Sequence, residues 1–266
     1  MLLGIDVGNT QTMVGVFKGG LLRNHWRIST ARDRTADEIA LSLGGFLAFE
    51  GWSLDMIDGM IISSVVPEMT RALTQMAERI LHLEPLVVDS ATDTGMTVRY
   101  EDPRQVGADR LVNAVAAVFK YGTPCIVVDF GTATTWDAIN REGEYLGGTI
   151  APGVEISADA LFRHAARLSR VELEAPDNPV GRNTVESIQS GIIYGTAGQV
   201  DRLVEMFKEE LGEDARVVAT GGLAEVVAGQ CRTVEVADPL LTLDGLRLIY
   251  ERNVEALRPE QEKGGR

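Results

Sequence analysis

The chain has 266 residues, 45% of them hydrophobic and 24% charged, which provides core material for one large domain or two of ordinary size. Its formal net charge of −14 excludes a nucleic-acid partner held by general electrostatics, and it repels ATP as well. A nucleotide site here has to rely on local backbone N–H groups and on metal cations. Cys125 and Cys231 are too few for a disulfide framework, and His25, His82 and His164 are too scattered to form a ligand set. The N-terminus has no basic leader and no apolar run is long enough for a bilayer, so the expected location is cytoplasmic, with no membrane partner.

In chain order, Leu2–Val7 and 12–17 alternate in the manner of a hairpin around Gly8, Asn9 and Thr10. Gly19 and Gly20 turn the chain into a third strand, Leu21–Ser29. Thr35 or Asp37 caps a predicted helix carrying Ile39, Leu43, Phe46 and Leu47 on one face. A buried strand over 60–66 follows. Pro67 then starts a helix with Leu73, Met76, Ala77 and Ile80 inward, and 86–88 is a short strand. Residues 89–105 form a polar connection of the length that functional loops have. Ala108–Tyr121 reads as a helix.

The pattern then restarts. Cys125–Phe130 is a strand, 131–135 a turn, 136–140 the returning strand and 145–151 a third. A helix is predicted over 154–168, a loop over 171–182 and a long helix over Thr184–Leu211. A strand at 216–219 runs into Thr220, Gly221 and Gly222, and 240–250 is a closing helix. The Asp, Gly and final Thr of the segments 6–12 and 129–135 coincide at one constant offset, Thr12 falling on Thr135. Each segment follows a buried strand and opens a hairpin. The expected architecture is therefore two related domains, each beginning with a three-stranded meander, facing one another across a cleft.

A glycine turn lets backbone N–H groups approach phosphate oxygens, the hydroxyls of Thr10, Thr12, Thr132 and Thr135 add donors, and a strand-end carboxylate can hold a hydrated Mg²⁺. Two ordinary Asp-Gly hairpin turns are the plain alternative. Thr220, Gly221 and Gly222 are either a place for adenine or ribose or a helix-start turn without a ligand. Asp109, at the start of a helix, is either a cap or the acceptor of a hydroxyl proton, with Arg110 beside it to grip an anion. The chain has no Gly-x-x-x-x-Gly-Lys-Ser/Thr loop, no Gly-x-Gly-x-x-Gly after the first strand and no protein-kinase signature.

The motifs DVGNT, GADRLVNAVAA, DFGTATTWDAI, YLGGTIAPG, NTVESIQSGIIYG and TGGLA, in this order from Leu3 to about Asn253, resemble those of type III pantothenate kinases. The one departure noted is Trp136, where many relatives carry phenylalanine. The resemblance implies an α/β fold of duplicated ribonuclease-H-like domains, that of the actin and sugar-kinase superfamily, around a central cleft. The expected boundaries are 1–122 and 123–255, with a mobile tail over 256–266. It implies ATP-dependent phosphorylation of pantothenate to 4'-phosphopantothenate, the first step toward coenzyme A, by a homodimer.

By the same resemblance Asp6, Val7, Gly8, Asn9, Thr10, Gln11, Thr12 and Met13 bind the ATP phosphates, and Thr132 adds a contact. Asp109 is the general base. Tyr100, Gly107, Ala108, Asp109, Arg110 and Thr184 line the pantothenate pocket. Asp129 binds a monovalent cation, K⁺ or NH₄⁺, and Asp6 serves the Mg²⁺ that accompanies ATP. Two rival functions are a nucleotide-sensing regulator without turnover and a phosphatase that uses water as the nucleophile.

Overall fold

A computed structural model of the protein describes residues 1–164 and 170–257. The tail expected over 256–266 lies outside the described residues from 258 on, as does the predicted helix beyond 164. The chain divides into two units. The first comprises Met1–Met96, Asp102–Ala116 and the segment from Thr242; the second comprises Thr97–Glu101 and Ala117–Leu241. The sequence-based boundaries differ from this division mainly at the end of the chain, where the closing helix groups with the first unit.

In the first unit, β1 (Leu2–Val7), β2 (Gln11–Lys18) and β3 (Leu21–Ser29) form an antiparallel meander. After α1 (Ala36–Phe49), β4 (Gly59–Ser64) returns parallel to β1; α2 (Pro67–Met76) leads to the short β5 (Leu86–Val87). The sheet order is β3-β2-β1-β4-β5. Thr35 starts α1 through a capping box: its hydroxyl accepts from the Glu38 N–H while the Glu38 carboxylate takes the Thr35 N–H at 2.8 Å. Pro67 stands in the first turn of α2, where its missing N–H costs nothing.

Alternation along the strands gives this sheet two unlike faces. Leu3, Ile5, Val7, Val14, Val16, Met60 and Ile62 point toward α1 and α2 and make the main core with Leu43, Leu47, Leu73 and Met76. Asp6 points the other way. The same face carries Gly4 and Gly15, paired across β1 and β2.

The chain continues through α3 (Ala108–Tyr121) into the second unit: β6 (Cys125–Phe130), β7 (Ala133–Ile139), β8 (Tyr145–Pro152), α4 (Val154–His164), α5 (Thr184–Leu211), β9 (Arg216–Thr220), α6 (Ala224–Ala228) and β10 (Val236–Ala237). Its sheet has the order β10-β9-β6-β7-β8, the first sheet's topology over again: meander, then two parallel strands. Ile126, Val128 and Phe130, the counterparts of Leu3, Ile5 and Val7, pack with Trp136, Val217 and Ala219 against α5 and α6. Finally α7 (Leu241–Leu257) lies on the glycine face of the first sheet. Leu246 Cβ is 3.7 Å from where a Gly4 side chain would start, and Leu243 Cδ1 is 2.9 Å from the same point on Gly15. A side chain at Gly15 would force the tip of Leu243 to shift.

Candidate active site

In the first unit, the turn over residues 8–11 follows directly from β1. Gly8 N–H donates to the Gln11 carbonyl at 3.0 Å, and the Thr30 N–H holds the Thr10 carbonyl at 2.9 Å. The Thr30 hydroxyl donates to the Gly8 carbonyl at 2.7 Å and lies 2.8 Å from the Thr12 hydroxyl. Because the single Thr30 proton goes to Gly8, Thr12 is the donor in that pair. Thr12 is buried, so its hydroxyl braces the turn from behind, while Asn9, Thr10 and Gln11 are exposed along it.

Asp6 sits one residue before the end of β1, partly buried, with its carboxyl pushed from 3.8 up to about 7. Burial is the main cause, the nearby Asp109 carboxylate adds to it, and the Ser63 hydroxyl works against both. Asp109 stands in the first turn of α3, where the helix dipole favours its negative charge. Its Oδ1 accepts from the Arg110 N–H at 2.9 Å. Burial raises its pKa, opposed by that N–H and by the Arg110 charge. The carboxylate folds back over Gly107, where a side chain would collide with Asp109 Oδ1. Glycine at 107 is thus what lets the acid take this position. The structure brings Asp6, Ser63, Gly107, Asp109 and the buried Arg110 into one unit.

In the second unit, Asp129 holds the equivalent place on β6. Its Oδ1 and the backbone of Phe130 occupy the space that a side chain on Gly221 would need, and Gly221 has φ +94°. The Thr220-Gly221-Gly222 turn therefore supports Asp129 from below, whatever else it binds. Thr132 is anchored by its carbonyl, which accepts from the Gly153 N–H at 3.1 Å ahead of α4. The fully buried Asp137 accepts from Tyr145 Oη at 2.6 Å and from Thr135 Oγ1 at 3.3 Å.

The registers correct the sequence overlay at one point. Val7 pairs with Thr12 but Phe130 pairs with Thr134, so four residues close the first hairpin and three close the second. Thr12 therefore corresponds in space to Thr134, equally buried, and the residue opposite Asp129 is Thr135 where Met13 stands opposite Asp6. A constant offset cannot survive a turn shortened by one residue.

Tyr100 lies in the Thr97–Glu101 segment, which the second unit annexes: Val98 bridges to Tyr145, and the Arg99 N–H meets the Tyr145 carbonyl at 2.8 Å. Its ring packs on Gly147, where a Cβ would stand 3.1 Å from it. Thr184 is exposed at the start of α5, which Asn183 caps through the Glu186 N–H at 2.9 Å. It borders an open cavity of about 850 Å³ lined also by Ser157, Leu161, Arg182, Asn183, Ser187 and Ile188.

Among the described residues, no three His, Cys, Asp or Glu side chains converge on one point. Mg²⁺ keeps several waters and needs only one or two carboxylates together with substrate phosphates. Asp6, with Asp109 near it, fits that role. Sequence reasoning passed over Ser63, Asp137 and Tyr145, and read Thr220 only as part of a glycine turn, not as the neighbour of Asp129. The signal that finds them is strand register, which only paired strands disclose.

Two of the solved structures that the chain resembles in fold belong to CoA dehydratase systems. The activator of the 2-hydroxyisocaproyl-CoA dehydratase from Clostridium difficile, solved with bound ADPNP, is 12% identical, covers 100% of this chain and 98% of its own, and superposes with a TM-score of 0.55. Component A of the Acidaminococcus fermentans (R)-2-hydroxyglutaryl-CoA dehydratase is 16% identical, with 97% and 99% covered and a TM-score of 0.57. At such identities the likeness shows the fold alone: an α/β architecture in which two five-stranded sheets repeat one topology.

Sequence similarity is narrower. Residues 2–206 match the type III pantothenate kinase family. A type III pantothenate kinase of Moorella thermoacetica is 51% identical over 253 residues, which are 95% of this chain and 100% of that protein. The chain belongs to the type III pantothenate kinase family and is a kinase.

Proposed function

We propose that the protein transfers the γ-phosphoryl group of ATP to the primary hydroxyl of pantothenate, giving 4'-phosphopantothenate for coenzyme A synthesis, with Asp109 as the general base. The observation that carries this is the Asp6–Asp109 pair: two carboxyl groups, both raised by burial, beside a glycine turn with exposed backbone. The Asp109 charge contributes to the rise at Asp6, and a cation beside the two carboxyls would favour the ionised form of both. Raising a carboxylate toward the working pH is the tuning that a general base needs.

Asp6, Val7, Gly8, Asn9, Thr10, Gln11, Thr12 and Met13 take the phosphates, Thr12 through the shape of the turn rather than its hydroxyl, and Thr132 supplies a further contact. Tyr100, Gly107, Ala108, Arg110 and Thr184 take pantothenate. Arg110 pairs with its carboxylate or with a phosphate oxygen. Asp109 aligns the hydroxyl and accepts its proton late, as the new O–P bond forms and the bond between the β and γ phosphates breaks. ADP leaves with the electron pair. Mg²⁺, held by Asp6 when bound, supplies neutralisation of phosphate charge; Asp129 serves K⁺ or NH₄⁺ in the same sense.

Among the described residues no helix is long and apolar enough to cross a membrane, and we place the enzyme in the cytoplasm. We place the enzyme in a homodimer, as membership of the family implies. The deciding experiment is ADP formation with and without pantothenate. Strict dependence on pantothenate is expected. Equal ADP release without it makes the protein a phosphatase, and ATP binding without turnover makes it a regulator.

A further inference from the structure

Each strand-end aspartate faces a hydroxyl that none of these roles uses. β1 and β4 run parallel with Asp6 opposite Ser63; β6 and β9 run parallel with Asp129 opposite Thr220. Residues paired in this way project from the same face of the sheet. The same rung, a carboxylate beside a hydroxyl, thus occurs once in each copy of the fold, although the chain between the two strands differs greatly in length.

Both hydroxyls are enclosed, Ser63 being 0% and Thr220 1% exposed. Among the described residues, Thr220 Oγ1 has no hydrogen-bond partner, and Ser63 Oγ has none apart from the Asp6 carboxyl. Buried polar atoms are nearly always paired, and an alanine or a valine would fill these places without the penalty. Packing therefore does not account for a hydroxyl in both. A carboxylate lies next to each, and the Ser63 hydroxyl is near enough to Asp6 to favour its ionised form. Ionised carboxylates accept and never donate, so a hydroxyl is the complementary neighbour.

We propose that Ser63 and Thr220 are positioning residues, each donating its hydroxyl proton to the strand-end carboxylate beside it so that the other carboxylate oxygen is aimed at a cation. The inference rests on the reading that Asp6 and Asp129 serve cations in phosphoryl transfer. Partners that orient a metal-binding carboxylate act on cation affinity, and their loss typically costs about 10–100-fold.

The test compares Ser63→Ala and Thr220→Val, which lack the hydroxyl, with Thr220→Ser, which keeps it. Three quantities are read: the Mg²⁺ and K⁺ concentrations for half-maximal activity, the thermal midpoint without ligands, and calorimetric binding of a non-hydrolysable ATP analogue with and without Mg²⁺. In Ser63→Ala we expect kcat to fall and the Mg²⁺ requirement to rise by about tenfold, and the analogue to bind more weakly only when Mg²⁺ is present. Thr220→Val should raise the K⁺ requirement, and Thr220→Ser should restore it. Thermal midpoints without ligands should fall by no more than a few degrees, the loss of about one hydrogen bond. Cation requirements within about twofold of the unmodified protein in both hydroxyl-less variants overturn the inference; so does a falling midpoint with no change specific to cations. Should the unmodified protein leave pantothenate untouched, the proposed function fails instead, and the calorimetric comparison still decides the role of Ser63.

Discussion

Replacing Asp6 by asparagine should stabilise the metal-free, nucleotide-free protein increasingly as the pH rises. In the folded chain burial and the Asp109 charge lift the Asp6 carboxyl from 3.8 to about 7, while the unfolded chain releases that proton near the ordinary value. Between these two values the native state binds the extra proton, so its stability declines as the solution becomes more alkaline, at about 1.4 kcal/mol per pH unit. By pH 8 the accumulated cost is on the order of 4 kcal/mol; below pH 4 it vanishes. Asparagine cannot ionise and escapes it. At about 2–4 °C per kcal/mol for chains of 150–250 residues, the variant should melt on the order of 10 °C higher at pH 8 and only slightly higher at pH 5. Thermal melts in EDTA from pH 5 to 9 measure this directly. A gap between variant and parent that stays constant across that range refutes the reasoning. Adding Mg²⁺ and ATP should reverse the order, because a cation rewards the ionised form that only aspartate can adopt.

Four further outcomes follow from the geometry. Asp109→Asn should lower kcat by about 10²–10⁴-fold while the fold is kept, melting at or above the parent at alkaline pH because a buried raised carboxyl is removed, and ATP binding stays near that of the parent, as steady-state kinetics and calorimetry will show. Gly221→Ala forces a side chain into Asp129 Oδ1 and the Phe130 backbone at φ +94°, and should cost about 1–3 kcal/mol or more in chemical denaturation together with most of the activity. Thr35→Ala removes half of the capping box of α1 and should cost about 1 kcal/mol by urea titration with kinetics unchanged. Activity should require K⁺ or NH₄⁺ and be lost in Na⁺; indifference to the monovalent cation would remove the role given to Asp129.

Local chemistry made much of the fold legible. Leu21–Ser29, Ala108–Tyr121, Cys125–Phe130 and Thr184–Leu211 stand where their alternation or helical spacing puts them. Thr35 and Pro67 begin their helices for the reasons that their side chains carry. What escaped was relational. β10 is two residues long, too short for any periodicity to show. The correspondence of Thr12 with Thr134 depends on a turn length that an alignment of letters hides. Ser63 and Thr220 look like ordinary strand ends until the neighbouring strand places an aspartate beside each. The grouping of α7 with the first unit rests on Gly4 and Gly15, whose emptiness matters only once Leu246 and Leu243 are seen to fill it.

That last arrangement has a bearing on how the polypeptide is made. Nearly all of the second unit is one unbroken stretch, whereas the first waits for residues far downstream, from Thr242 on, to cover its bare glycine surface. During synthesis the sheet of the first unit emerges before that of the second and is finished after it. Truncation just before Thr242 should therefore damage the half that was translated at the outset and spare the half that came after it.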